Sequence, residues 1–367
     1  MIVATRSRRE GLGLVEALAA WVVARALVFV GYAAADGIAS VLKLRGASRL
    51  HLDERLLTWD GHWYWLIAHG GYGSAGREGL RFFPLYPLLA RALAWPLGGR
   101  VGLTLVIVSN AAAFVALVLL RKLVAEESDD EDLARRSMWL FALFPASAAM
   151  VLGYAEGLLV MASLVAFLAI RRDRWWLAAS AGLVCGLIRP VGLLLVVPFA
   201  IEATGHRRAS PFARLGAVVA PVIGALSYLF WVGGEYGDWL LPVRVQRELR
   251  AGFQDPFTRL WDGFRNLGTS QLDAPNLAFA VIFIGLLVVV FRTQRMSWGF
   301  YALATLVVAL SAHNINSIGR YGFVAFPFVV AVAKVAEDER VAWAAMAASG
   351  AALAALTTRA TLGAYQP

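Results

Sequence analysis

Eleven apolar runs, most of them separated by short connections that carry arginine, decide what this chain can become. They are Leu14–Ala33, Val101–Leu120, Ser137–Val151, Tyr154–Ile170, Trp175–Leu187, Val191–Ala203, Leu215–Val232, Leu277–Phe291, Trp298–Leu310, Phe323–Val335 and Val341–Leu356. A lipid-exposed helix needs about 20 apolar residues, because inside a bilayer each backbone group must be satisfied within the segment. Several runs are shorter, so they reach a span by taking in polar neighbours or by packing inside a bundle. Composition agrees with that reading. Of 367 residues 59% are hydrophobic and 16% charged, against roughly a quarter charged in soluble domains. A water-soluble globule and a disordered chain are both excluded. The fold class is an all-α polytopic membrane protein of about eleven transmembrane helices, forming one integral membrane domain over residues 1–367.

Arg6, Arg8 and Arg9 precede the first run. A cleaved leader has a shorter apolar core without an arginine such as Arg25, so Leu14–Ala33 reads as an uncleaved first span. The net charge of +9 does not gather into a stripe interleaved with stacking aromatics, so no nucleic-acid partner is expected. It follows the positive-inside pattern instead. With the N-terminus in the cytoplasm, alternate connections carry Arg121, Lys122, Arg135 and Arg136, then Arg171, Arg172 and Arg174. Arg207, Arg208 and Arg214 follow, then Arg292 and Arg295, then Lys334 and Arg340. The C-terminus then falls outside. The opposite face holds two long loops, about 34–100 and 233–274, and short turns at Phe144–Glu156, near Arg189 and at His313–Tyr321. The acidic run from Glu126 to Asp132 reads as a solvated loop rather than a metal site. Cys185 is alone, which excludes a disulfide framework.

Polar residues not needed for topology concentrate on that outer face. A mid-membrane Arg or Asp costs roughly 2.5–3.5 kcal/mol on insertion scales, so such residues call for a partner or a substrate. In Thr58–Tyr72 a helix would align Trp59, Trp63, Leu66 and Ile67 as an apolar stripe, with Asp60 and Tyr64 on a neighbouring polar face. That helix would be amphipathic and lie at the membrane surface, ending at Gly70-Gly71. Asp60 reads as its N-cap, as a base, or as both. His62 and His69 read as hydrogen-bonding or interfacial groups rather than metal ligands. Phe82-Phe83-Pro84-Leu85-Tyr86-Pro87 opens a surface or re-entrant helix, or one wall of a lipid groove. Glu156, Arg189 beside Pro190, Arg320-Tyr321 and Arg25 interrupt apolar surroundings. Arginines converging on one cavity would bind an anion bidentately; singly, each could snorkel to headgroups.

These motifs, in this order, resemble the PIG-V-type mannosyltransferases, the GPI mannosyltransferase II-like family of GT-C fold and its bacterial relatives. The resemblance is carried by Trp59-Asp60 with Tyr64 and Gly71-Tyr72, and by Phe83–Pro87. It continues through Pro145-Ala146-Ser147 with Tyr154-Ala155-Glu156, then Arg189 with Gly192, Gly237-Asp238 with Val243–Gln246, and Arg320-Tyr321 with Phe326-Pro327. It implies a membrane hexosyltransferase that moves mannose from a polyprenyl-phosphate donor to a hydroxyl of a lipid or glycan acceptor. The chemistry would be extracytoplasmic and inverting, among membrane lipids. Asp60 would be the catalytic carboxylate and the base. Arg189, Arg320, Arg25 and Arg244 would hold the donor phosphate, and His62, Tyr64, Tyr154, Glu156, Gln246 and Tyr321 the sugar and acceptor. Asp60 lacks the adjacent acid of some GT-C variants, so no metal and no cofactor is expected. The competing class, a multi-span lipid or solute transporter or flippase, should show paired broken helices in repeated halves, and no internal repeat is visible.

Overall fold

The computed structural model describes residues 2–43, 52–205, 209–249, 252, 254–265, 273–311 and 317–363. Arg207, Arg208 and the 313–316 portion of the turn before Arg320 lie outside these residues, as do the side chains of Arg6, Arg8 and Arg9. Every regular element among the described residues is helical. The chain opens with α1 (Ile2–Val41), followed by four short helices, α2 (Leu52–Leu56), α3 (Asp60–Gly70), α4 (Tyr72–Gly79) and α5 (Leu85–Ala94). Next come α6 (Val101–Ser128), α7 (Glu131–Ala142), α8 (Glu156–Arg171), α9 (Trp175–Ile188), α10 (Val196–Gly205) and α11 (Pro211–Tyr236). Then follow α12 (Leu241–Leu249), α13 (Pro256–Arg265), α14 (Asp273–Thr293), α15 (Met296–Leu310), α16 (Ile318–Val324), α17 (Pro327–Val335) and α18 (Glu339–Thr361).

Five segments are long and apolar enough to cross a membrane alone: Gly11–Val41, Val101–Ser128, Pro211–Tyr236, Ala274–Thr293 and Glu339–Thr361. The pair α16 and α17, bent by 86°, passes the same test as a sixth. Trp175–Ile188, Pro190–Gly205 and Met296–Leu310 are apolar but shorter. The chain is therefore a multi-pass membrane protein, with the remaining apolar runs realised as shorter helices. The run Ser137–Val151 does not form one helix. It ends at Ala142, ahead of Pro145, and continues as a turn with a 3-10 segment, Ser147–Met150.

Small residues set the close crossings, as expected where lipid and core are equally apolar. A Cβ on Gly224 would sit 2.2 Å from the Leu183 carbonyl oxygen, locking α11 to α9. One on Gly157 would sit 2.6 Å from the Ser109 carbonyl oxygen, locking α8 to α6. These contacts fix the ends of α8 and α9, where Glu156 and Arg189 emerge.

Tyrosine hydroxyls brace the segment between α1 and α6 internally and staple it to α6 and α11. Tyr72 donates to the Phe82 carbonyl at 2.8 Å, Tyr86 to Leu105 at 2.8 Å, and Tyr228 of α11 to Leu80 at 2.7 Å. The Gly153 amide donates to the Leu56 carbonyl at 2.8 Å, which draws the turn before α8 against α2. α5 starts at Leu85, with Pro84 as its cap and Pro87 in its first turn, where an N–H has no helical partner to lose. The acidic run extends α6 and binds its neighbours: Glu126 pairs with Arg172, Glu127 with Arg171 and Arg295, and Asp130 caps α7.

Candidate active site

Asp60 is the first residue of α3, and Trp59 occupies the cap position with φ 50° and ψ −117°. A left-handed φ on a residue with a Cβ costs of order 1–3 kcal/mol and persists only where surroundings enforce it. Asp60 is the first helical residue and not the N-cap expected from the sequence, since Trp59 holds that position. Its carboxylate turns instead into the bundle. Arg320 Nη1 donates to its Oδ2 at 2.6 Å, and Arg189 Nη2 lies 4.0 Å from the same oxygen.

Both guanidiniums share a second anion. Glu156, the first residue of α8, is 1% exposed, and its Oε1 accepts from Arg189 Nη1 and lies 3.4 Å from Arg320 Nε. Arg189 reaches this position from extended backbone, φ −156° and ψ 152°, the conformation that the following Pro190 favours. Arg320 comes from the first turn of α16, its guanidinium 5.3 Å from the centre of the Tyr154 ring. Two carboxylates and two guanidiniums thus meet where α3, α8, α9 and α16 converge, and the formal charges balance.

Hydrogen-bonding capacity is left over. Tyr154 Oη and Glu156 Oε2 are buried and make no hydrogen bond among the described residues. Burial by itself would raise the Asp60 carboxyl, but the Coulombic pull of Arg320 and Arg189 with the Arg320 hydrogen bond outweighs it, and the group titrates below the ordinary carboxylate value. Burial likewise pushes the Tyr64 phenol up, which keeps it neutral. Beside Asp60, Trp59 lines a shallow apolar cleft with Tyr32, Leu152 and Leu356.

Of the sequence-predicted residues, the fold brings together Asp60, Glu156, Arg189, Arg320, Tyr154 and Tyr64. Tyr321 lies within electrostatic reach of both guanidiniums. Tyr64 is not on a polar face, as the helical pattern suggested. It is buried, edge-on to Phe82 and Tyr86 at 5.0 and 4.9 Å between ring centres. Four others do not join the cluster. Arg25 donates to Asn110 Oδ1 at 2.9 Å and to the Met150 carbonyl at 3.0 Å, over the Trp21 ring, so its charge staples α1 to α6. Arg244 is largely exposed and pairs with Asp238 at 2.7 Å. Gln246 is half-buried on the same short helix. His62 is exposed and stacks on Trp65, two residues beyond Asp60 and so on the far side of α3. One cation was missed: Arg81 acts on the Asp60 carboxyl and lies over the Phe82 and Trp63 rings. Its signal was the aromatic pair Phe82-Phe83 directly after it.

No protein-family model matches the chain. The chain is 26% identical over 249 residues to a protein named GPI mannosyltransferase 2 from Yarrowia lipolytica, covering 66% of this chain and 61% of that relative. It spans about three-fifths of the relative's length. Among solved structures, the Archaeoglobus fulgidus oligosaccharyltransferase aligns with 92% of this chain and 53% of its own, at a TM-score of 0.46 and 16% identity. The likeness to GPI mannosyltransferase 2 agrees with the resemblance carried by the ordered motifs.

Proposed function

We propose that this chain is a membrane glycosyltransferase that moves mannose from a polyprenyl-phosphate donor to a hydroxyl of a lipid or glycan acceptor, with inversion, on the extracytoplasmic side. The observation that carries the reading is the meeting of Asp60 with Arg189, Arg320 and Glu156 beside buried, unpartnered tyrosine and carboxylate oxygens. Asp60 takes the proton of the acceptor hydroxyl as its oxygen attacks the anomeric carbon. The bond from that carbon to the phosphate oxygen breaks, and its electron pair leaves with the phosphate. Arg189 and Arg320 hold the departing anion where charge accumulates. Tyr154 and Glu156 Oε2 offer their unfilled positions to sugar hydroxyls, and the apolar cleft at Trp59 suits a lipid-borne substrate. The orientation rests on the arginines of the short connections.

A transporter reading is disfavoured by the sequence, which shows no internal repeat of the kind that sets paired broken helices in two halves. Transfer of labelled mannose from polyprenyl-phosphate mannose, in membranes with and without the chain, tests the proposal. Transfer should appear only with the chain and fall at least 100-fold with Asp60→Asn. Near wild-type transfer by that variant would remove Asp60 as the base.

A further inference from the structure

The proposed reaction gives Asp60 and Arg320 opposite duties, one as base and one as phosphate ligand, yet here they are bonded to each other at 2.6 Å. A carboxylate held by a guanidinium is a weak base. We propose that Arg320 is the positioning residue that arms Asp60: it holds the carboxylate in the empty site and hands it over when the donor phosphate takes the guanidinium. This deepens the transferase reading and rests on it.

Three observations carry the inference. Asp60 is the open partner, with 20% of its side chain exposed, whereas Glu156 has 1%. An arriving anion therefore meets the Asp60 side of the guanidinium first. Arg320 also has anchors that survive an exchange: its Nε lies 3.4 Å from Glu156 Oε1 and its guanidinium lies over the Tyr154 ring. Nη1 can pass from Asp60 Oδ2 to a phosphate oxygen while those contacts remain. Finally, every charged group found acting on Asp60 belongs to the same set. Arg320, Arg189 and Arg81 face it as cations; Glu156, Tyr64 and Tyr154 are the neighbouring acids and phenols, with Tyr321 beside the arginines. His62 on the same helix faces away, stacked on Trp65.

Charge-assisted pairing shifts a carboxyl by about 1–3 pH units, so its release returns Asp60 toward ordinary basicity. The proton then passes from the acceptor hydroxyl to Oδ2 as the new glycosidic bond forms. The phosphate leaves with the bonding pair on the two guanidiniums. Donor binding thus comes before base activation, and an acceptor or water that arrives first meets an inactive carboxylate.

The test is the pH dependence of mannose transfer by the full chain in membranes. The acid limb of kcat, which reports the donor complex, should lie at least about one pH unit above the limb of kcat/KM for donor, which reports the free enzyme. Arg320→Gln should lower kcat and bring the kcat/KM limb up to the kcat limb. Coincident limbs in the wild type, or an unmoved kcat/KM limb in Arg320→Gln, would overturn the inference. Infrared difference spectra on adding undecaprenyl phosphate, without sugar, avoid any dependence on that variant's folding. A carboxylate band change present in the wild type and absent in Asp60→Asn is expected. No binding, or binding without that band, overturns the inference too. Should Asp60→Asn keep its transfer rate, the transferase assignment of Asp60 fails; an inactive Asp60→Asn with coincident wild-type limbs sinks only the exchange.

Discussion

The two ends of α8 carry ion networks of nearly the same composition that do different things. At its first residue, Glu156 meets Arg189, Arg320 and Asp60. Roughly 22 Å away, at 1.5 Å per residue, Arg171 pairs with Glu127 at 3.2 Å, Glu127 with Arg295, and Arg295 with Glu202 at 3.6 Å. Ser297 donates to Glu202 and closes that second network. None of its side chains has a buried polar atom left without a hydrogen bond, whereas the first has two such oxygens, on Glu156 and its neighbour Tyr154. The first also adjoins a left-handed non-glycine residue. Count and sign of charge therefore do not set the proposed reactive site apart. Unfilled bonding capacity next to enforced backbone does.

Mutations at both ends can break or sharpen that contrast. The largest effect is Asp60→Asn, which should remove at least 99% of transfer per folded molecule and also lower the melting temperature, because Arg320 and Arg189 lose a buried charged partner. Glu127→Gln should cost stability alone, about 1–3 kcal/mol, reduced from the usual cost of a broken buried pair because Arg171 and Arg295 are more than a third exposed. Its turnover per folded molecule should stay at the wild-type value. Arg25→Gln should resemble the Glu127 variant, costing about 1–3 kcal/mol through unmet partners on Asn110 and Met150, read by thermal melting. Acidification separates the two ends as well. A carboxyl held below its ordinary value contributes stability above about pH 4, lost as pH falls through the lowered value. Melting of the wild type between pH 5 and 3 should thus fall more steeply than that of Asp60→Asn. Arg244→Gln, on an exposed pair, should change transfer less than twofold. A larger loss would bring α12 into the site.

How much was legible in advance depended on what each residue costs in a membrane. Glu156 between apolar runs and Arg189 against Pro190 stood out because neither is tolerated without a partner, and each proved to hold the other. Arg25 stood out for the same reason, but its acceptors, Asn110 and a main-chain carbonyl at Met150, carry no charge that a sequence displays. Tyr64 was assigned to the wrong surface because helical periodicity separates faces without saying which face the bundle covers. α3 is packed on both of them. Arg81 escaped because it sits among the arginines of a long loop, where charge has no topological meaning. The number of spans was blurred at Ser137–Val151, where an apolar run hides the end of a helix.

The unusual torsion at Trp59 has a consequence for aim. The turn of the main chain at that point brings Asp60 to face the bundle, where Arg320 then fixes its carboxylate. In the proposed reaction a molecule entering from the lipid would meet the acid already in place. Glycine there would ease the bend and let the acid swing, giving a more relaxed chain that strikes less often.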